Sequence, residues 1–329
     1  MVQAARQVLE GRTDPQSVPF PYLLRLATEA AARACHEWIG RGDKMQADRA
    51  AVDAMRAVLD MLPFRGVVVI GEGEKDEAPA LYRGEVLGAA AGEPQYDIAV
   101  DPLEGTSYLA KGLTNAMAAI SIAPRGALFD PGPCFYMEKF AAPGEARGEI
   151  DPSWSTERKL RRLAECLGKR VRDLTVYVLE KPRHERLVRE IYEAGARVAL
   201  YPAGDVAGAI MAALPNSGID ALMGTGGTPE GILAATAIRA LGGTFFGRLD
   251  PQLAGEKARV AEAGLDTQRW YRLEELVRSP DVLFCATGIT TGLLFEGVAC
   301  DARTYRTQTL LVSGLSRERQ LLTTWAPRI

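Results

Sequence analysis

Thr175-Val176-Tyr177-Val178-Leu179 is a β-branched and aromatic run of one strand's length, too short for a buried helix. Helical patterns flank it. The spacing of apolar residues predicts a helix over 156–167 before it and a helix over 183–194 after it. The alternation continues with a strand over 196–201, a helix over 206–214, a strand over 219–223, a helix over 228–241 and a strand over 244–246. Strand and helix in turn predict α/β layering, with helices covering a sheet.

Toward the N-terminus the order is less regular. Residues 22–39 place Leu24, Ala27, Ala31, Cys35 and Trp38 on one helical face, and Gly40 and Gly42 end it. Asp43 is a candidate N-cap for a second helix that reaches residue 62. Gly66-Val67-Val68-Val69-Ile70 reads as a buried strand, and further strands are predicted over 96–100 and 116–123. A composition shift at 143–155 divides the chain into domains 1–150 and 151–329. The polar stretch 248–268 predicts a loop or a mobile helix, and 282–325 predicts short strands with glycine turns.

Composition narrows the function. A length of 329 residues suits about two domains. With 47% hydrophobic and 25% charged residues, general disorder is excluded. The net charge of −3, without a basic stripe, argues against nucleic acid as a partner. An anionic substrate would therefore be held by local cations. Two histidines, His36 and His184, are too few for a His-rich zinc site. Five scattered cysteines without a C-x-x-C pair point to reduced thiols in a cytoplasm. The N-terminal stretch has no apolar signal core, and no run approaches the ~20 apolar residues of a spanning helix, so no membrane partner is expected.

The chemistry is concentrated in carboxylate-bearing turns. Gly71-Glu72-Gly73-Glu74-Lys75-Asp76-Glu77 follows a buried strand, and its acids must face water or a cation because isolated buried carboxylates are costly. Read alone, it is equally a solvated acidic hairpin. Asp101-Pro102-Leu103-Glu104-Gly105-Thr106 is sharper. Asp101 and Glu104 lie three residues apart and can point to one place, and the amides of Gly105 and Thr106 at a helix start suit a phosphate. Mg²⁺ or Mn²⁺ prefers such oxygen ligands. The plainer reading is an N-capping turn with a surface acid. In Gly226-Gly227-Thr228-Pro229-Glu230, Thr228 and Pro229 suit a helix start, and Glu230 suits its positive end or a metal. Asp48, mid-helix, reads by default as a solvated face. Lys181-Pro182-Arg183 follows a strand where α/β ligands bind, and is as readily a phosphate grip as a solvated loop. His184 reads as structural.

Taken together these segments resemble the class II fructose-1,6-bisphosphatases. The resemblance rests on Arg41-Gly42-Asp43-Lys44 with Ala47-Asp48, Ile70-Gly71-Glu72-Gly73-Glu74 with Asp76-Glu77-Ala78-Pro79, and Asp97 through Thr106. It extends through Tyr136-Met137-Glu138-Lys139, Lys181-Pro182-Arg183-His184, Gly226-Gly227 with Pro229-Glu230-Gly231, and Ala286-Thr287-Gly288-Ile289-Thr290, in order over residues 37–314. Asp-Pro-x-Glu-Gly-Thr is similar to the Asp-Pro-x-Asp-Gly-Thr signature of the lithium-sensitive phosphatase superfamily.

The resemblance implies a layered αβαβα sandwich, with a metal-binding sub-domain over 1–150 and an α/β substrate-binding sub-domain over 151–329. It implies a phosphoric monoester hydrolase acting on the 1-phosphate of fructose 1,6-bisphosphate, with a place in gluconeogenesis and glycerol metabolism. Mg²⁺ or Mn²⁺ would be the cofactor. The metal ligands would be Asp48, Glu72, Asp101, Glu104 and Glu230. Thr106, helped by Asp76, would orient and activate the attacking water. Substrate contacts would come from Glu104, Gly105, Thr106, Tyr136, Lys181, Pro182, Arg183, Gly204, Asp205 and Gly227. A homo-oligomer, dimer or tetramer, is implied as well. The chain departs from the family at Ala203, where the family usually has aspartate, and in the shorter stretch after Arg248. The rival readings are a sedoheptulose 1,7-bisphosphatase, an inositol monophosphatase-like enzyme, and a metabolite-binding regulatory protein on the same fold.

Overall fold

The computed structural model describes residues 20–71 and 80–328. Its elements in chain order begin with α1 (Phe20–His36), α2 (Lys44–Leu59), β1 (Gly66–Ile70), β2 (Val86–Leu87), β3 (Tyr96–Glu104), α3 (Thr106–Ala110) and β4 (Met117–Pro124). Next come β5 (Tyr136–Ala142), α4 (Thr156–Cys166), β6 (Thr175–Leu179), α5 (Glu185–Glu193), β7 (Arg197–Tyr201), α6 (Asp205–Ala213), β8 (Ala221–Gly227) and α7 (Thr228–Leu241). They are followed by β9 (Thr244–Leu249), α8 (Ala254–Glu262), β10 (Trp270–Arg272), α9 (Leu273–Leu276), β11 (Leu283–Gly288), β12 (Ala299–Cys300), β13 (Thr304–Ser313) and β14 (Arg319–Pro327). The fold class is α/β, as expected. No helix among the described residues is long and apolar enough to cross a membrane.

The chain divides into two compact units, one built from the chain up to Leu128 together with Asp281 onward, the other from Phe129–Pro280. In the first unit the strands run β12-β13-β11-β4-β3-β1-β2, with β14 paired to β13. β1 and β3 are parallel; β3–β4, β4–β11 and β11–β13 are antiparallel. Helix α1 packs on this sheet because Leu23, Leu24, Ala27, Ala31 and Cys35 recur every three or four residues and are all buried. Hydroxyls buried at that contact bond to each other: Thr287 Oγ1 donates to Thr28 Oγ1 at 2.8 Å, and Thr287 and Thr309 share a bond of 2.8 Å. Helix α2 starts at the foreseen cap, with Gln46 N–H donating to Asp43 Oδ1 at 3.1 Å.

The second unit is a six-stranded sheet, β10-β9-β5-β8-β6-β7, with helices on both faces. Val176 and Val178 share a buried cluster with Leu160 and Leu163 of α4 and Ile191 of α5. Tyr177, between them in β6, points the other way. A Cβ on Gly208 of α6 would fall 2.6 Å from its ring, so only glycine lets that helix lie so close.

The boundary differs from a single cut at 150. Strand β5, which the alternation did not foresee, pairs with β8 and β9 and so draws the chain from 129 into the second unit. Beyond 280 the chain returns to the first sheet, where the expected short strands include the long β13–β14 hairpin. The polar stretch after Arg248 contains helix α8. Its start is fixed by Glu256, whose buried carboxylate accepts the backbone N–H groups of Gln252 and Leu253 at 2.9 and 3.2 Å.

Candidate active site

In the first unit the site grows from the end of β3. The register of β3 on β4 shifts between Asp101 and Glu104, a bulge that turns the strand end. Leu103 N–H donates to Asp101 Oδ1 at 3.1 Å, an Asx-turn that fixes the first acid. Gly105 then takes φ +85°, and a side chain there would strike Tyr108 at 2.9 Å. This left-handed residue lets the strand pass at once into α3. Thr106, first in α3, donates Oγ1–H to Leu103 O at 3.2 Å. The far end of α3 rests on the Gly40–Gly42 turn, whose amides donate to Leu109 O and Ala110 O, both at 2.9 Å. Lys44 Nζ adds a bond to Ser107 Oγ at 2.9 Å. The Arg41-Gly42-Asp43-Lys44 segment thus serves to seat α3.

Asp101 and Glu104 bring carboxylate oxygens within 4.8 Å of each other, and Glu104 is buried. Two charges at that spacing repel by on the order of 3 kcal/mol at an effective dielectric of 20. A hard divalent cation with oxygen ligands relieves that repulsion, so the donor set fits such an ion. Asp48 lies half-buried on α2. Its charge adds to the burial that pushes the Cys35 thiol up. Glu72 and Asp76 lie outside the described residues.

In the second unit Tyr136 opens β5 opposite Gly227, the last residue of β8. Glu256 Oε1 accepts the amides of Phe135 and Tyr136 at 2.6 and 3.0 Å, tying this end of β5 to α8. Thr228 N–H donates to Phe135 O at 2.9 Å, and Pro229 sits in the first turn of α7 as expected. Glu230, in that first turn, folds back over Gly227: a Cβ there would fall 1.8 Å from Glu230 Oε2. A Cβ on Gly226 would likewise meet Asp205 Oδ2 at 2.0 Å.

Asp205 opens α6 after Gly204, which takes φ +85°. Its carboxylate pairs with Lys139, and both side chains are buried. The sequence reading assigned Lys139 no role. Its signal was a lysine on the same strand face as Met137 and Ala141, where an apolar residue is the rule. At Ala203 and Gly204 the backbone carbonyls accept the Tyr177 hydroxyl at 3.0 and 2.9 Å.

Lys181 and Pro182 lead from β6 into the turn before α5. Arg183 donates from Nε and Nη2 to Thr225 O at 3.0 and 2.8 Å, and its guanidinium lies 5.4 Å from the centre of the Tyr136 ring. Two expected substrate residues therefore meet within this unit. His184 is structural: Nδ1–H donates to Leu179 O at 2.7 Å and Nε2 accepts Thr225 N–H at 2.8 Å. Both ring nitrogens are committed in the neutral form, and burial lowers its pKa. Its contribution to stability is complete above the ordinary value of 6.5 and is lost as pH falls from there toward the lowered folded value. Thermal unfolding between pH 7.5 and 5 is expected to show a steeper loss in the wild type than in His184→Gln.

A family model described as bacterial fructose-1,6-bisphosphatase, glpX-encoded, matches residues 22–326. The chain is 44% identical over 303 residues to the class 2 fructose-1,6-bisphosphatase of Haemophilus influenzae, covering 88% of this chain and 90% of that one. It is 43% identical, over the same shares, to fructose-1,6-bisphosphatase 1 class 2 of Escherichia coli strain K12.

Proposed function

The chain belongs to the bacterial, glpX-encoded fructose-1,6-bisphosphatase family, and on that premise we propose that it hydrolyses the 1-phosphate of fructose 1,6-bisphosphate, with Mg²⁺ or Mn²⁺ as cofactor. The products are fructose 6-phosphate and inorganic phosphate, the step that serves gluconeogenesis. The observation that carries this reading is the Asp101–Glu104 pair at the bulged end of β3, beside a left-handed glycine and a threonine. The ligand set joins Asp48, Glu72 and Glu230 to that pair. When bound, the ion supplies charge that stabilises the phosphate oxygens and makes water more acidic.

The protein's own groups do the rest. Thr106 commits its hydroxyl proton to Leu103 O, so its oxygen is left to accept a hydrogen bond and can orient the attacking water. Asp76 assists as the acidic partner. The amides of Gly105 and Thr106 hold phosphate oxygens. Lys181 and Arg183, with Pro182 shaping their turn, grip the 6-phosphate, which is not cleaved. Arg183 suits that task because Thr225 O and the Tyr136 ring hold its fork in one orientation. Tyr136, Gly204, Asp205 and Gly227 line the sugar. Binding energy from the distal phosphate then positions the reacting one. In this reading the enzyme is cytoplasmic and a homo-oligomer, dimer or tetramer.

A phosphate-release screen tests the assignment. Fructose 1,6-bisphosphate should be turned over at least ~10-fold faster than fructose 1-phosphate or inositol 1-phosphate, the loss expected when a charge-assisted grip worth about 1.5 kcal/mol or more is missing. Sedoheptulose 1,7-bisphosphate, which keeps both phosphates, belongs in the same panel. Equal or faster turnover of the monophosphates would contradict the role of Lys181 and Arg183.

A further inference from the structure

Cys300 ends β12 and is exposed, whereas Cys35, Cys134 and Cys285 are buried. It does not stand alone. His36, the last residue of α1, sets Nε2 3.2 Å from Cys300 Sγ, and Arg328 sets Nη1 3.9 Å from the same sulfur. One ring holds both donors in place: Tyr305 meets His36 edge-on at 6.3 Å and lies 5.6 Å under the Arg328 guanidinium. Arg328 is steadied by Asp301 O at 3.4 Å and by Glu37 Oε1 at 3.3 Å. All of these residues belong to the first unit.

The proton on His36 can be assigned. Nδ1 is buried and makes no hydrogen bond. A buried N–H without an acceptor is rare and costly, so Nδ1 is the bare nitrogen and the ring proton sits on Nε2, facing sulfur. Two N–H donors, one of them cationic, then converge on Sγ, where negative charge gathers as the sulfur attacks. The neighbouring acids are engaged elsewhere: Glu37 accepts from Arg328, and Asp301 accepts from Arg303 and Thr304. Elsewhere burial pushes the thiols up, to about 11 for Cys134 and about 12 for Cys285, and raises those of Cys35 and Cys166.

We propose that Cys300, flanked by His36 and Arg328, is a reactive thiol that forms a mixed disulfide with low-molecular-weight disulfides. The thiol gives its proton to water, and the thiolate attacks one sulfur of the disulfide. A new S–S bond forms at Cys300 as the old one breaks, and the departing thiolate takes up a proton from water. Cys300 is oxidised and the small disulfide is reduced, giving one mixed disulfide and one free thiol.

The test uses the full reduced chain with oxidised glutathione at pH 7, followed by intact mass and peptide mapping. One adduct, on Cys300, is expected. The rate of iodoacetamide labelling at Cys300 at pH 7 supplies the second measurement. His36→Phe keeps the packing on Tyr305 and removes the donor; it should slow labelling at pH 7 by ~3-fold or more. Arg328→Met, an exposed change, should slow labelling as well, and His36→Gln, which keeps an N–H donor, should restore part of the rate. Adducts spread over other cysteines, an unmodified Cys300 in the folded protein, or equal labelling rates in wild type, His36→Phe and Arg328→Met would each overturn the proposal.

Discussion

Glu104→Gln is expected to abolish measurable release of phosphate from fructose 1,6-bisphosphate while the protein stays folded. Glu104 is buried beside Asp101, and its carboxylate is a proposed ligand. Losing even an outer-shell partner of a metal ligand costs ~10–100-fold, and a direct ligand should cost more. The amide is nearly isosteric, so packing at the end of β3 is preserved. Without metal the variant should be slightly more stable than the wild type, because the repulsion between the two acids is gone. The rise in unfolding temperature on adding Mn²⁺ should shrink, since ligand stabilisation follows affinity. Wild-type turnover in this variant, or an undiminished Mn²⁺ shift, would remove Glu104 from the ligand set.

Lys139→Met is expected to be the most destabilising single change in the second unit. Lys139 and Asp205 pair in the interior. Removing one partner of a buried pair leaves an uncompensated charge and costs about 3–5 kcal/mol. For a unit of this size that lowers the unfolding midpoint by roughly 10 °C. Methionine matches the stem of lysine, so the loss reports charge and not volume. The double variant Lys139→Met with Asp205→Leu should recover much of the stability, because no lone charge remains. A midpoint within 2–4 °C of wild type in the single variant, a cost near 1 kcal/mol, would show that the pair is solvated and expendable.

Some of this was legible in the sequence and some was not. The strand over 175–179 and the helix over 228–241 fall where local pattern puts them, because each carries a clean period and strong punctuation. The Asp101–Thr106 turn was legible for a related reason: a buried strand that ends in acids and a glycine has few conformations open to it. Strand β5 was hidden by its own chemistry. Lys139 interrupts the apolar face, and its partner Asp205 lies 66 residues away, a distance no local window spans. Glu256 was hidden likewise. It looks like a surface acid on a polar helix, yet its carboxylate accepts four backbone amides, two of them at Phe135 and Tyr136. The return of 283–327 to the first sheet is a long-range pairing that length and composition do not encode. Glu72 and Asp76 lie outside the described residues and keep the standing that motif alone gives them.

The most direct measurement follows both phosphates of fructose 1,6-bisphosphate by ³¹P NMR during incubation with the purified protein. With Mg²⁺ or Mn²⁺ the C1 phosphate signal should decay as inorganic phosphate grows, and the C6 phosphate should persist. EDTA should stop the reaction and fresh divalent metal should restart it. Loss of the C6 signal first, or undiminished hydrolysis after chelation, would contradict a carboxylate-held metal centre that acts on the 1-phosphate.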